Sequence, residues 1–268
     1  MLWTLRGDKL LKVAAIQVGP KSDNESVLHG IIEELTNRAA SNGAKFLCFP
    51  EHYLSEETED SVLSILELMK KQARKHNITI IAGGFYEKLS DGIYVTAPVI
   101  NPQGRLIGRQ EKIHLFGKEK YRAKPGSDYQ IFTVEDVKFG VIICYDLVFP
   151  EVARILALNG ADMIFVPSKI IEQGIEPWHL YLSVRCLENR VPLIGSNLIW
   201  PPKYLGHSKI FDLQYDKKSD ITITKVVAVG GESQEVLIAD VNLKTSTELR
   251  EKRIRDRRPD TYKFLSKK

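Results

Sequence analysis

Cysteine is scarce: Cys48, Cys144 and Cys186 are the only three in 268 residues. They lie far apart and offer neither a zinc-ligand spacing nor a disulfide framework, so a reducing, cytoplasmic setting is expected. Long apolar runs are missing too. Nothing reaches the ~18 consecutive apolar residues of a membrane-spanning helix, and no membrane partner is expected. The start, Met1-Leu2-Trp3-Thr4-Leu5-Arg6-Gly7-Asp8, lacks the basic-then-apolar order of a signal peptide. Linker composition and short-period repeats are absent. Residues 1–268 are therefore read as one domain, and at 43% hydrophobic the chain can bury a substantial core.

Charge is also weak. The net charge is +4, and residues 244–268 alone hold ten Lys/Arg against four Asp/Glu, leaving the other 243 residues at −2. The positive charge belongs to a basic C-terminal helix and tail near 243–268. No basic face interleaved with aromatics exists, so no nucleic-acid partner is expected.

What is present is an alternation of strands and helices. A first strand over Lys12–Val18 precedes a helix opened by a Ser22/Glu25 capping box and stopped at Asn42-Gly43. A strand over Ala44–Phe49 leads to a helix with Val62, Leu66, Met69 and Ala73 on one stripe. Strands near 78–86, 93–100 and 105–112 follow, joined by the turn signals Ser90-Asp91-Gly92 and Asn101-Pro102-Gln103-Gly104. Alternation resumes with a strand at 137–144, a helix at 150–159, a strand at 162–167, a helix at 178–189 and a strand at 191–196. Strands near 207–213, 221–229 and 234–240 then precede a charged helix near 243–255.

Three strand ends carry chemistry. The run Val141-Ile142-Ile143 ends in Cys144-Tyr145-Asp146, placing a thiol where open α/β folds hold ligands and nucleophiles; a buried structural cysteine is the plainer reading. Lys45-Phe46-Leu47-Cys48-Phe49-Pro50 ends in Glu51, which is either a solvated loop residue or a carboxylate presented at a strand tip. The same Phe-Pro-Glu recurs at Phe149-Pro150-Glu151, where Pro150 suits a first helical turn and Glu151 its dipole; that copy is read as structural. Lys112 closes the strand after Gly104. Alone it reads as a solubility residue, but a cation near a cysteine lowers the thiol pKa and holds an oxyanion.

Together these segments resemble the carbon–nitrogen hydrolase (nitrilase) superfamily, in its amidase-like branch. The match runs in order through Phe49-Pro50-Glu51, Glu111-Lys112-Ile113-His114-Leu115-Phe116, Ile143-Cys144-Tyr145-Asp146 through Glu151, and Arg185 through Glu188-Asn189. The resemblance implies an α/β fold, the four-layer α-β-β-α sandwich, commonly paired into homodimers or higher homo-oligomers. It implies a triad of Glu51, Lys112 and Cys144, with Glu119 as a second glutamate that positions the substrate or Lys112. The implied reaction is hydrolysis of a small carboxamide (an aliphatic amide, ω-amide or N-carbamoyl compound) through a Cys thioester, with neither cofactor nor metal. Cys-Tyr-Asp in place of Cys-Trp-Glu favours an amide over a nitrile. Tyr145 and Trp178, the latter at the end of the loop from Lys169, are the expected pocket walls. Asn197-Leu198-Ile199-Trp200-Pro201-Pro202 departs from the usual continuation after the asparagine.

Alternatives on the same residues are a nitrilase, an acyltransferase, or a silent interaction protein of this fold. Papain-like catalysis would instead pair Cys144 with His52, His114, His179 or His207. His114 is read as a structural hydrogen-bonding group, and Cys48 and Cys186 as small buried hydrophobes.

Overall fold

The computed structural model describes residues 10–19 and 25–263; the Ser22/Glu25 capping box lies outside the described side chains. Two sheets form the centre. The first has seven strands and runs β15 (Glu235–Asn242), β1 (Leu10–Gln17), β2 (Phe46–Cys48), β3 (Thr79–Ile81), β5 (Gly92–Ile100) and β4 (Phe85–Leu89), with β6 (Leu106–Glu111) on the other edge of β5. The second has six, in the order β14 (Ile221–Val229), β13 (Lys209–Asp216), β10 (Leu193–Asn197), β9 (Met163–Ser168), β8 (Val137–Val141) and β7 (Phe132–Val134).

Period-two alternation sorts the side chains into layers. Val13 and Ala15, Phe46 and Cys48, Met163 and Phe165 face the core between the two sheets, where Phe46, Phe139 and Phe165 form an aromatic cluster with centroids 5.4–6.2 Å apart. The alternate residues Ala14, Ile16, Leu47 and Phe49 pack outward under α1 (Glu25–Ser41) and α2 (Glu59–His76). On the far side Ile164, Val166 and Leu193 pack under α3 (Pro150–Leu158) and α4 (Ile175–Asn189). The order is α-β-β-α. Strands buried on both faces account for their near-continuous apolar sequences.

Helix ends follow local chemistry. Thr58 and Ser61 cap α2 reciprocally, and Asn77 closes it in the left-handed region at φ 53°. Pro150 opens α3 with Glu151 in its first turn, as read above. The helix α5 (Leu243–Arg255) carries the basic last turn.

Two expectations need correction. The strand expected at 78–86 is two strands, broken at Gly83-Gly84, because a Cβ at Gly83 (φ 92°) would meet the Pro50 carbonyl at 2.2 Å. The strand expected at 137–144 ends at Val141, and the two-residue strands β11 (Ile199–Trp200) and β12 (Tyr204–Leu205) form a hairpin within the Pro-rich loop.

Candidate active site

The site forms where strand ends of the two sheets meet. Ser196 Oγ donates to the Cys48 carbonyl at 2.9 Å, and the Glu51 N–H donates to the Ser168 carbonyl at 3.2 Å, so each bond joins one sheet to the other. The break at Gly83-Gly84 lets the Glu51 loop settle against β4: Glu51 bridges Gly84, and the His52 N–H donates to the Gly84 carbonyl at 2.8 Å. A Cβ at Gly84 would lie 2.9 Å from Glu51 Cγ. Glu51 is thus buried, 2% exposed, and is no solvated loop residue.

Lys112 is the first residue beyond β6, with its N–H on the Val95 carbonyl and its own carbonyl accepting from Gly126. It is 1% exposed. Its ammonium donates to Glu51 Oε1 at 2.7 Å and to Glu119 Oε1 at 2.8 Å. Glu119 sits in a single 3₁₀ turn, Gly117–Tyr121, where its Oε2 accepts the Phe116 N–H at 2.7 Å.

Cys144 stands on an elbow. Its φ is 47°, a left-handed conformation costing a non-glycine residue about 1–2 kcal/mol. It opens the 3₁₀ turn Cys144–Val148. Cys144 is partly exposed and lines a cavity of about 1050 Å³ together with Glu51, Lys112 and Glu119. No cysteine is disulfide-bonded.

Comparison with known proteins identifies this arrangement. The carbon–nitrogen hydrolase family profile matches residues 12–251. The chain belongs to the carbon–nitrogen hydrolase family. A nitrilase of Pyrococcus abyssi is 30% identical, covering 92% of this chain and 94% of the relative. An omega-amidase of Xenopus laevis, NIT2-B, is also 30% identical, covering 96% and 98%. The solved carbon–nitrogen hydrolase of Helicobacter pylori G27 has the same fold, with a TM-score of 0.83 at 20% identity over 97% and 99% of the two chains. This protein is therefore an amidase-like member of the nitrilase superfamily, a carbon–nitrogen hydrolase.

Electrostatics of the hydrolase differ from the sequence expectation in one respect. Burial and then the Glu51 carboxylate push the Cys144 thiol well above its ordinary value, outweighing Lys112 and the Lys169 N–H. The resting residue is a thiol, not a thiolate held by a cation. Burial pulls Lys112 down, but the Glu51 and Glu119 carboxylates raise it, so it remains an ammonium. Glu51, His52 and Glu119 bring ligand atoms within 4.8 Å of one another, yet the ammonium already lies against both carboxylates.

Asp146 fastens the thiol loop to the lysine loop. Its buried carboxylate accepts from the N–H groups of Ile113 (3.3 Å) and His114 (2.8 Å) and from His114 Nδ1 (2.7 Å). The His114 ring stacks on Phe149 at 3.7 Å, so His114 is the structural hydrogen-bonding group expected. Replacing Asp146 by Ala strands these donors and is expected to cost about 3 kcal/mol, readable as a lower denaturation midpoint.

Both expected wall residues line the cavity. Tyr145 packs between Phe116 and Phe149, with centroids 4.9 and 5.4 Å away. Trp178, on the first turns of α4, is 4% exposed. The loop from Lys169 and the hairpin residues Trp200, Lys203 and Tyr204 complete the mouth. Sequence reading missed His52 as a neighbour of Glu119, and missed Glu57 and Tyr86 altogether; the one available signal was the unsolvated character of His52-Tyr53-Leu54 beside Glu51.

Proposed function

We propose that the hydrolase cleaves a small carboxamide through a thioester on Cys144, with Glu51, Lys112 and Cys144 as the reacting groups. The observation that carries this is the Lys112 ammonium held 2.7 Å from Glu51 beside a thiol at the cavity floor. As Sγ bonds to the amide carbon, its proton passes to Glu51. The carbonyl oxygen becomes an oxyanion, received by Lys112 and by the Tyr145 N–H, an early N–H of a helical turn with no intrahelical acceptor. Glu51 then protonates the departing nitrogen as the C–N bond breaks, releasing ammonia or an amine. A water loses its proton to Glu51 and attacks the thioester; the C–S bond breaks and the thiol is restored. A raised thiol pKa suits this order, because the nucleophile forms only as Glu51 takes its proton.

Glu119 holds Lys112, and Tyr145 and Trp178 wall the acyl portion of the substrate. Amide is favoured over nitrile by Cys144-Tyr145-Asp146. Contributions running from Glu51 to Tyr204 support one domain over 1–268. Apolar side chains exposed on α4 (Leu180, Val184) and on the adjoining β14 (Ile221, Ile223) support self-association, expected as at least a dimeric mass at micromolar concentration. Three unpaired cysteines fit a reducing cytoplasm.

The test is ammonia release across short aliphatic amides, ω-amides, N-carbamoyl amino acids and nitriles. Turnover is expected on at least one amide or carbamoyl series. Turnover on nitriles alone, or none at all, would overturn the reading.

A further inference from the structure

Beside Lys112 lies a string of charged groups that the reaction above does not use. The His52 side chain is 11% exposed, and its φ is 52°. Its Nδ1 lies 2.7 Å from Glu57 Oε1, and its Nε2 faces Glu119 Oε1 at 3.5 Å. Glu57 is itself held by the Tyr86 N–H, which donates to Oε2 at 2.8 Å. The order is Glu57, His52, Glu119, Lys112, Glu51: negative groups alternating with positive ones if the imidazole carries its proton.

The neighbours of the ring agree with that charge. Facing it are Glu57 from the loop before α2, Glu119 from the 3₁₀ turn, Glu51, and Tyr86 of β4, whose ring lies 5.0 Å away under the Arg122 guanidinium; Lys112 lies beyond Glu119 and Glu51. Burial lowers the His52 pKa, but Glu57 first and Glu119 next raise it to about 9. Burial likewise pushes Glu119 up, and its hydrogen bond with His52, ahead of Lys112, brings it down to about 2.

Donor counting shows what this does. An ammonium has three N–H groups; Glu51 and Glu119 take two from Lys112, leaving one for an oxyanion. Glu119 Oε1 is shared between Lys112 and His52, while its Oε2 is engaged by Phe116. With the imidazolium gone, Glu119 Oε1 would be left to Lys112 alone and draw it away from the thiol side.

We propose that His52 is a positioning residue of the hydrolase: clamped between Glu57 and Glu119, it takes up part of the Glu119 carboxylate and so keeps Lys112 aimed at the substrate oxyanion. This rests on the reading of Lys112 as oxyanion donor. Its signs are a ring that holds its proton far above the ordinary histidine range and a turnover that depends on that proton.

The experiment compares wild type, His52→Asn and Glu57→Gln; asparagine tolerates the left-handed backbone at 52. Ring titration by NMR is followed alongside kcat and KM from pH 6 to 10 on whichever amide releases ammonia. In wild type the ring is expected to titrate near pH 9, with kcat falling over the same range. Glu57→Gln should move both downward together, toward the ordinary value of about 6.5. His52→Asn should lower kcat about tenfold, a fraction of the 10²–10³ that a lost oxyanion donor costs, with KM little changed and no alkaline fall near pH 9. Variants that match wild type in kcat and pH profile while losing only thermal stability would overturn the proposal. Should wild type hydrolyse no amide, the functional reading alone fails, and the ring titration still decides: a His52 that loses its proton near 6.5 is no clamp.

Discussion

Cys144→Ala is expected to fold as wild type and to release no ammonia, a loss on the order of 10⁴-fold or more, since removing a nucleophile disables the reacting unit as a whole. Folding should survive because Cys144 lines the cavity and is partly exposed, and Ala keeps the Cβ that already bears the left-handed strain at φ 47°. The other two cysteines supply the control. Cys48 packs between the sheets and Cys186 lies on the buried face of α4, both fully buried, and burial pushes the Cys48 thiol up to about 12. Cys48→Ala and Cys186→Ala should keep turnover while losing about 1–2 kcal/mol through the cavities they leave. Iodoacetamide should mark Cys144 in wild type and neither of the others, which also separates an enzyme from a silent protein of the same fold. Turnover of Cys144→Ala within tenfold of wild type would remove Cys144 from the reaction.

Lys112→Met should combine a catalytic and a stability defect. The side chain keeps an unbranched stem but loses an oxyanion donor, worth on the order of 10²–10³ in turnover. It also leaves Glu51 and Glu119, 2.7 and 2.8 Å from the former ammonium, as buried carboxylates without their shared cation. Breaking a buried ion pair from one side costs about 3–5 kcal/mol. The sign of the pH dependence follows. Lys112 is part of what holds the Glu119 carboxyl well below the ordinary carboxylate range; the variant loses that part, and with it stability that wild type has above the unfolded carboxylate pKa and loses as pH falls through the folded one. The deficit relative to wild type should be largest at neutral and alkaline pH and shrink as pH falls toward 5. Denaturation midpoints of the two proteins from pH 5 to 8 would measure it. A deficit that does not change with pH would mean that Lys112 does not neutralise these carboxylates.

The alternation of strands and helices was legible because each buried element writes its period into the chain. The strand 221–229 and the helix 243–255 lie where periodicity puts them. Where the sequence misled, tertiary contacts overrode a local pattern. An unbroken apolar run at 78–86 says nothing of the Pro50 carbonyl that lies against Gly83. Val141 through Cys144 reads as one strand, yet the pairing partner β9 serves it only as far as Ile142, whose N–H donates to the Phe165 carbonyl. Beyond that point the chain is free to turn.

The residues of the site divide in the same way. Glu51, Lys112 and Cys144 were legible as residue types at strand ends and through a family resemblance that spans the chain. Glu119 was legible through the resemblance alone, because its charged neighbours disguise a side chain only 10% exposed. His52, Glu57 and Tyr86 were not legible in their present roles. Their relation to Glu119 spans 62 or more positions of sequence for Glu57 and depends on how two loops dock.

By itself, then, the sequence determined the four-layer order, the family and the chemical identity of the thiol, ammonium and carboxylate, since composition and period act locally along the chain. Only the tertiary structure decided their surroundings: Cys144 in a cavity with Glu51, the Lys112 ammonium between two carboxylates, and His52 between Glu57 and Glu119. The reason is physical. Charge in a buried site is set by distance and by loss of water, and both come into being only when separate strand ends are brought together.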